Sequence, residues 1–166
     1  MGSEAPTRQH RIRRVLALVG SLGLACAGSP DEGDSDDGAF RIPVTVQTDD
    51  GPVTFRAEVA DEPAERARGL MFREFMPERQ GMLFIFPGPA QQSFWMRNTL
   101  IPLDMIFIRS DRTILGVVKN AEPRTDTPRA VPGESQYVLE INGGLSDRYG
   151  IGPDQTVQFM APTPER

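Results

Sequence analysis

One stretch restricts the fold more than any other: FWMRNTLIPLDMIFI, residues 94–108. It carries the only tryptophan and sets a cation, an amide, a hydroxyl and a carboxylate between two apolar runs. Residues 94–96 read as the end of one strand and residues 103–108 as the body of the next. Polar side chains therefore gather where the backbone leaves one strand and enters another.

The flanking sequence supports a β-rich frame. Ile42, Val44 and Val46 alternate with polar residues, as do Val53, Phe55, Ala57 and Val59, with Asp49-Asp50-Gly51-Pro52 between them. That pattern predicts a β-hairpin with one buried face, and Pro43 suits an edge strand. Asp61 is expected to cap a short helix with Pro63 in its first turn and Gly69 at its close. Residues 82–86 form an unbroken apolar run stopped by Pro87-Gly88-Pro89, the signature of a central strand buried on both faces, with residues 93–96 as its hairpin partner. A second hairpin is expected about Ser110-Asp111-Arg112. Residues 121–135 make a long loop with three prolines, of the kind that borders a site. Tyr137, Leu139 and Ile141 alternate with Val138 and Glu140 in a further strand, Asn142 is expected to cap a helical turn reaching Tyr149, and Val157 and Phe159 mark a last strand. The expected fold class is α+β, mostly β: a single domain over residues 40–160 with about seven or eight short strands and two short helices, followed by a frayed tail over residues 161–166.

Three blocks, RARGLMFRE, GMLFIF and FWMRNTLIPLDMIFI, occur in that order. Together they resemble the signature of the domain of unknown function 192 family, over roughly residues 53–160. The resemblance implies a compact mixed sheet curling toward a barrel. It also implies a basic residue close to the Gly-Leu-Met turn, a place that Arg68 fills. The family is uncharacterised, so the resemblance implies no reaction.

The amino-terminal segment reads as a targeting signal. Arg8, Arg11, Arg13 and Arg14 precede an apolar run over residues 15–25 that ends in small residues and is too short to span a bilayer. The only cysteine, Cys26, follows Leu22-Gly23-Leu24-Ala25. This resembles a bacterial lipobox, with Gly23 standing where that pattern prefers leucine. The competing reading is ordinary cleavage nearby, which leaves Cys26 as a free thiol or discards it. A lone exposed thiol in an oxidising compartment is a liability, which favours acylation. The expected organisation is a signal peptide over residues 1–25, then a lipid-anchor cysteine and an acidic, flexible tether over residues 26–39. A lipoprotein in the bacterial cell envelope follows, and the absence of an acid directly after Cys26 favours the outer membrane facing the periplasm.

The net charge is −5, and loss of the first 25 residues removes four arginines and Glu4, leaving −8. So acidic a body argues against nucleic acid as a partner and leaves acyl chains on Cys26 as the contact with the membrane. A monomer without a cofactor is expected. The sole histidine, His10, falls in the signal, which excludes Ser-His-Asp and Cys-His catalysis and the usual zinc sites in the domain. A single cysteine also excludes an intrachain disulfide.

Three constellations remain. Trp95, Arg97 and Asn98 set an aromatic face, a forked donor and an amide at a strand end, a set that can hold a small polar or glycan ligand, with Asp104 and Arg68 as further contacts. The bland alternative is a core tryptophan whose neighbours satisfy loop backbone. Asp104 and Glu140 lie within apolar strands, and facing one cavity they could act as general acid and base on a cell-wall glycan. Against this, Asp104 is expected to pair with Arg97 or accept from Asn98 and nearby backbone, and Glu140 to face solvent. Met71, Met76, Met82, Met96 and Met105 could bind Cu(I), although methionine is an ordinary gap filler. A non-catalytic binding or accessory module is the favoured reading, a carboxylate-dependent hydrolase the alternative, and copper binding the third.

Overall fold

Alternation of apolar and polar side chains builds the first hairpin. In the computed structural model, which describes residues 39–161, β1 (Arg41–Thr48) pairs antiparallel with β2 (Gly51–Ala60) and sets Val44 opposite Phe55. Val44, Val46, Phe55 and Ala57 are fully buried on one face. The expected signal segment, Cys26 and nearly all of the acidic tether lie outside the described residues, as do residues 162–166.

β3 (Gln80–Ala90) runs parallel to β2. Parallel neighbours need a crossover, here supplied by α1 (Pro63–Arg68) and the loop over residues 69–79. The cap of α1 differs from expectation by one residue. Glu62, not Asp61, is the N-cap, in a reciprocal capping box with Glu65. A Glu side chain three residues into the helix can reach back to the cap amide, and the Glu65 carboxylate accepts from the amides of both Asp61 and Glu62 at 3.2 Å.

β4 (Leu103–Ile108) and β5 (Ile114–Ala121) form the second hairpin as expected. β6 (Ser135–Asn142) inserts between β3 and β4, antiparallel to both. β7 (Val157–Gln158) adds to β1, giving the order β5-β4-β6-β3-β2-β1-β7. The two edges then approach each other: Thr113 bridges Thr156, and the amide of Val157 donates to Arg112 O at 2.8 Å. The result is a mostly β, mixed sheet of seven strands curled into a partial barrel, with two short helices.

Two expected elements are corrected. Residues 93–96 do not pair with β3, because β2 and β6 already occupy both of its edges. Phe94 instead exchanges backbone bonds with Arg129, and the Met96 amide donates to Thr125 O, so this segment docks on the long loop. Asn142 does not cap the last helix. α2 (Leu145–Arg148) starts behind Gly144, whose φ of 86° favours glycine, while the Asn142 side chain donates to Met76 O at 2.8 Å and Pro77 O at 3.3 Å.

The central strands β3, β6 and β4 are covered on both faces. Leu83, Leu139, Ile141, Ile106 and Ile108 join the interior with Val44, Val46 and Phe55. Their sequence neighbours Met82, Phe84, Val138, Met105 and Phe107 point outward and are roofed by Leu70, Met76 and Met96. A strand with both faces covered reads as an unbroken apolar run rather than an alternation, and β4 is buried at every residue. The outer roof is loop, not helix, and that leaves room for a cleft.

Candidate functional site

β6 carries Glu140 onto the outer face beside Val138, in register with Met82 of β3 and Met105 of β4. Over this face the two signature segments cross. The Phe72 amide donates to Asn98 O at 2.8 Å, and the Asn98 side-chain amide points at the Met71 sulfur, 3.9 Å away. Both residues at the crossing are left-handed, Phe72 with φ 63° and Asn98 with φ 57°. Asparagine tolerates that region; phenylalanine does so at a cost and must be held there by its surroundings.

Beside the crossing, bordered by Leu70, Met71 and Thr99, lies a cleft of about 480 Å³. Phe84, Phe86, Phe94 and Leu70 form its apolar wall, with Glu140 at the floor. Phe94 stands edge-on to Phe84, Phe86 and Phe107, with ring centroids 5.0, 6.3 and 6.0 Å away, which fixes the wall in place. Arg66 and Arg68, from the last turn of α1, line the cleft together with Trp95 and Asp126. Arg66 donates to Ile85 O at 2.9 Å and to Asp61 O, and lies over the Phe86 ring. Arg68 is exposed, and among the described residues no hydrogen bond or ion pair holds its guanidinium.

Trp95 is half exposed at 51 %. The Arg97 guanidinium stacks 4.4 Å from its ring centroid and donates from Nε to Asp126 Oδ1 at 2.8 Å. That bond holds the Asp126 carboxyl below its ordinary pKa and the Arg97 guanidinium above its own. The expected pairing of Arg97 with Asp104 is therefore corrected. Asp104 is fully buried elsewhere: Oδ1 accepts from the amides of Asn120 (2.6 Å) and Gly144 (3.0 Å), and Oδ2 from that of Ser146 (2.7 Å). Nor does Asn98 bond to local backbone through its side chain, since its amide faces the Met71 sulfur.

Glu140 is corrected in turn. It is only 4 % exposed, because the loops that roof the outer face cover it. Its carboxyl has no hydrogen-bond or ion-pair partner among the described residues, and burial pushes its pKa up to about 8. Such a group is neutral at pH 7 and available as a donor.

Strand parity decides the paired-carboxylate reading. Successive side chains alternate between faces, so Asp104 shares a face with Ile106 and Ile108, and Glu140 with Val138. The two carboxyls project to opposite sides of the sheet and do not open on one cleft, as acid and base on a glycosidic bond must. The thioethers are likewise dispersed into packing: Met76, Met82, Met96 and Met105 are buried in the outer core, and only Met71 reaches the cleft. Among the described residues no three His, Cys, Asp or Glu side chains converge on one point.

The cleft thus brings together Trp95, Arg68 and Glu140 and, through Asp126, positions Arg97, but it leaves Asp104 outside. Sequence reasoning missed the three phenylalanines, Arg66 and Asp126 as lining groups. The long loop was the available signal for the last of these, since Asp126 and Pro128 lie on the rim.

The model of the DUF192 family, described as an uncharacterized ACR, matches residues 44–159. Among solved structures, a protein of unknown function from Novosphingobium aromaticivorans DSM 12444 is 43 % identical, with a TM-score of 0.71 over 80 % of this chain and 94 % of that one. A protein from Sinorhizobium meliloti 1021, described as a proposed transcription regulator, is 35 % identical, with a TM-score of 0.70 over 73 % of this chain and 95 % of that one. No curated protein resembles the chain closely enough to count as a relative.

Proposed function

The chain belongs to the DUF192 family, and from that premise we propose that it is a non-catalytic binding module for a small ligand, polar or glycan-like, seated in the outer-face cleft. One observation carries this reading: an unpartnered carboxyl, nine-tenths buried and more, lies at the floor of an aromatic cleft. A buried polar group without a partner costs stability, and a ligand that supplies the partner offsets that cost. Trp95 at the mouth offers a flat face for a ring, and Arg68 an unengaged cation. Small-molecule sites have this make-up of apolar wall and few converging polar groups. The description of the Sinorhizobium protein as a regulator is not carried over, because a net charge of −5 does not suit a phosphate backbone.

The module is proposed to be monomeric and tethered by acyl chains on Cys26, at the outer membrane on its periplasmic side. Cys26→Ser should move the protein from the membrane fraction to the soluble one; retention in the membrane would remove the anchor from the proposal. The binding reading is tested by a thermal-shift screen of small polar molecules and cell-wall oligosaccharides against the purified protein. A ligand of this site stabilises the wild type and loses most of that effect in both Trp95→Ala and Glu140→Leu. A ligand whose stabilisation survives both changes binds elsewhere and overturns the assignment.

A further inference from the structure

We propose, on the reading of this cleft as a ligand site, that it takes a small organic carboxylate on an apolar body, held between the Glu140 carboxyl at the floor and the Arg68 guanidinium at the mouth. The argument starts from the charges that face the cleft. From α1 come Arg66 and Arg68, from the long loop Asp126, and from β6 Glu140. The residues that flank Glu140 on β3 and β4, Met82 and Met105, do not titrate.

Asp126 is balanced by Arg97 at 2.8 Å. Burial keeps the proton on Glu140 until about pH 8, so the lining carries an excess of positive charge at neutral pH. Arg66 is committed to two backbone carbonyls and to the Phe86 ring. Arg68 is committed to nothing among the described residues. An anion is therefore attracted into this cleft, and an organic cation meets two arginines on the way in.

A carboxylate also matches the donors. It accepts only, and it has two oxygens: one takes the proton-bearing oxygen of Glu140 as donor, the other the forked guanidinium of Arg68. Between the two, Phe84, Phe86 and Phe94 cover an apolar or aromatic body, and Trp95 closes its side. Once Glu140 ionises it becomes a second acceptor and a second negative charge. The affinity for a carboxylate is then lost as pH rises through about 8, by about tenfold per unit beyond it, whereas an amine would gain affinity over the same range.

Three probes that share one ring separate the possibilities: phenylacetate, phenylacetamide and phenethylamine, titrated against the purified protein from pH 6 to 9 with Trp95 fluorescence as readout. Phenylacetate should bind best at pH 6–7 and weaken through pH 8. Glu140→Gln, which keeps a donor and cannot ionise, should retain binding and abolish that pH dependence. Arg68→Gln should weaken phenylacetate at least about tenfold and leave phenylacetamide unchanged. Tightest binding by phenethylamine, or by the neutral amide with no effect of Arg68→Gln, overturns the anion inference and leaves the binding module standing. Should none of the three bind the wild type, while the oligosaccharides and small polar molecules also leave its melting temperature unmoved, both readings fall together.

Discussion

Asp104 and Glu140 sit on neighbouring strands, both buried, both carboxylic acids, and they face opposite sides of one sheet. On the inner side Asp104 meets three backbone amides at 2.6–3.0 Å, so that its two oxygens tie β4 to the end of β5 and to the start of α2. On the outer side Glu140 meets methionine and phenylalanine and no donor at all among the described residues. The inner face is thus a solved packing problem, with its polar group paired. On the outer face a paired arrangement is withheld and a cleft opens in its place. Burial alone does not distinguish a structural acid from a site acid; the presence or absence of a partner does.

The largest effect expected from breaking this contrast is at Asp104. Asp104→Ala strands three amides at about 1–3 kcal/mol each, a loss of at least about 3 kcal/mol and a fall in melting temperature of more than about 10 °C. Asp104→Asn should recover part of this, because one oxygen remains while its NH₂ group meets a donor. An unchanged melting temperature for Asp104→Ala would mean that the anchoring bonds contribute nothing, and the contrast with Glu140 would collapse.

Glu140 should respond with the opposite sign. Its folded pKa of about 8 lies above the ordinary 4.5, so the folded protein binds the proton more tightly than the unfolded chain. The stability this gives is fully present below pH 4.5 and is lost as pH rises through about 8. At 1.36 kcal/mol per unit, the wild type should lose on the order of 4 kcal/mol across that window. Glu140→Gln has nothing to titrate there. Denaturant melts at pH 5 and pH 8 should show the variant close to wild type at the first and clearly more stable at the second. Parallel pH profiles for the two proteins would show that water reaches Glu140 and that its isolation is not what shapes the cleft.

These two acids also show what the sequence reveals and what it hides. The strands were legible, because alternation over residues 42–46 and 53–59 and the run over residues 82–86 report burial directly. Arg97 is only seven positions from Asp104, and proximity in sequence suggests a pair. The true partners lie at positions 120, 144 and 146, brought in by sheet order, which no local pattern encodes. The clean alternation of Tyr137, Leu139 and Ile141 points Glu140 to solvent. The contrary signal was Val138, an apolar residue on the supposedly wet face, and its cover comes from loops at residues 70–76 and 94–99 that no periodicity predicts. The signature segment does gather polar groups just ahead of β4, but of its fifteen residues only Phe94, Trp95 and Thr99 border the cleft.

A smaller effect sharpens the same comparison at the loop crossing. Phe72 is 64 % exposed and left-handed, so its ring contributes little burial while its backbone is strained. Phe72→Gly should stabilise the fold by about 1 kcal/mol, since glycine occupies that region without the Cβ clash. If the crossing holds the mouth in shape, the same change should loosen the cleft and weaken ligand binding. Stability and affinity would then move in opposite directions, as expected where strain is kept for a site. A destabilised Phe72→Gly would show that the ring packs more than its exposure suggests.

The smallest stability effect belongs to Trp95, and there the smallness is the point. Half of its ring is in solvent, and the cation that stacks on it is held by a surface ion pair that solvent screens. Trp95→Ala should therefore cost less than about 1 kcal/mol and leave the melting temperature nearly unmoved. Binding should respond far more, with about a tenfold loss of affinity, because a tryptophan at the edge of a cleft contributes contact area at little entropic cost. As the sole tryptophan it also reports its own environment. Its emission in the free protein should be that of a solvated indole, shifting to shorter wavelength when a ligand fills the cleft and excludes water from the ring. Arg97→Ala should shift the free-state emission by uncovering one face, without destabilising the fold. Should Trp95→Ala instead unfold the domain, Trp95 belongs with Asp104 among the groups that hold the sheet together, and the rim of the cleft must be drawn without it.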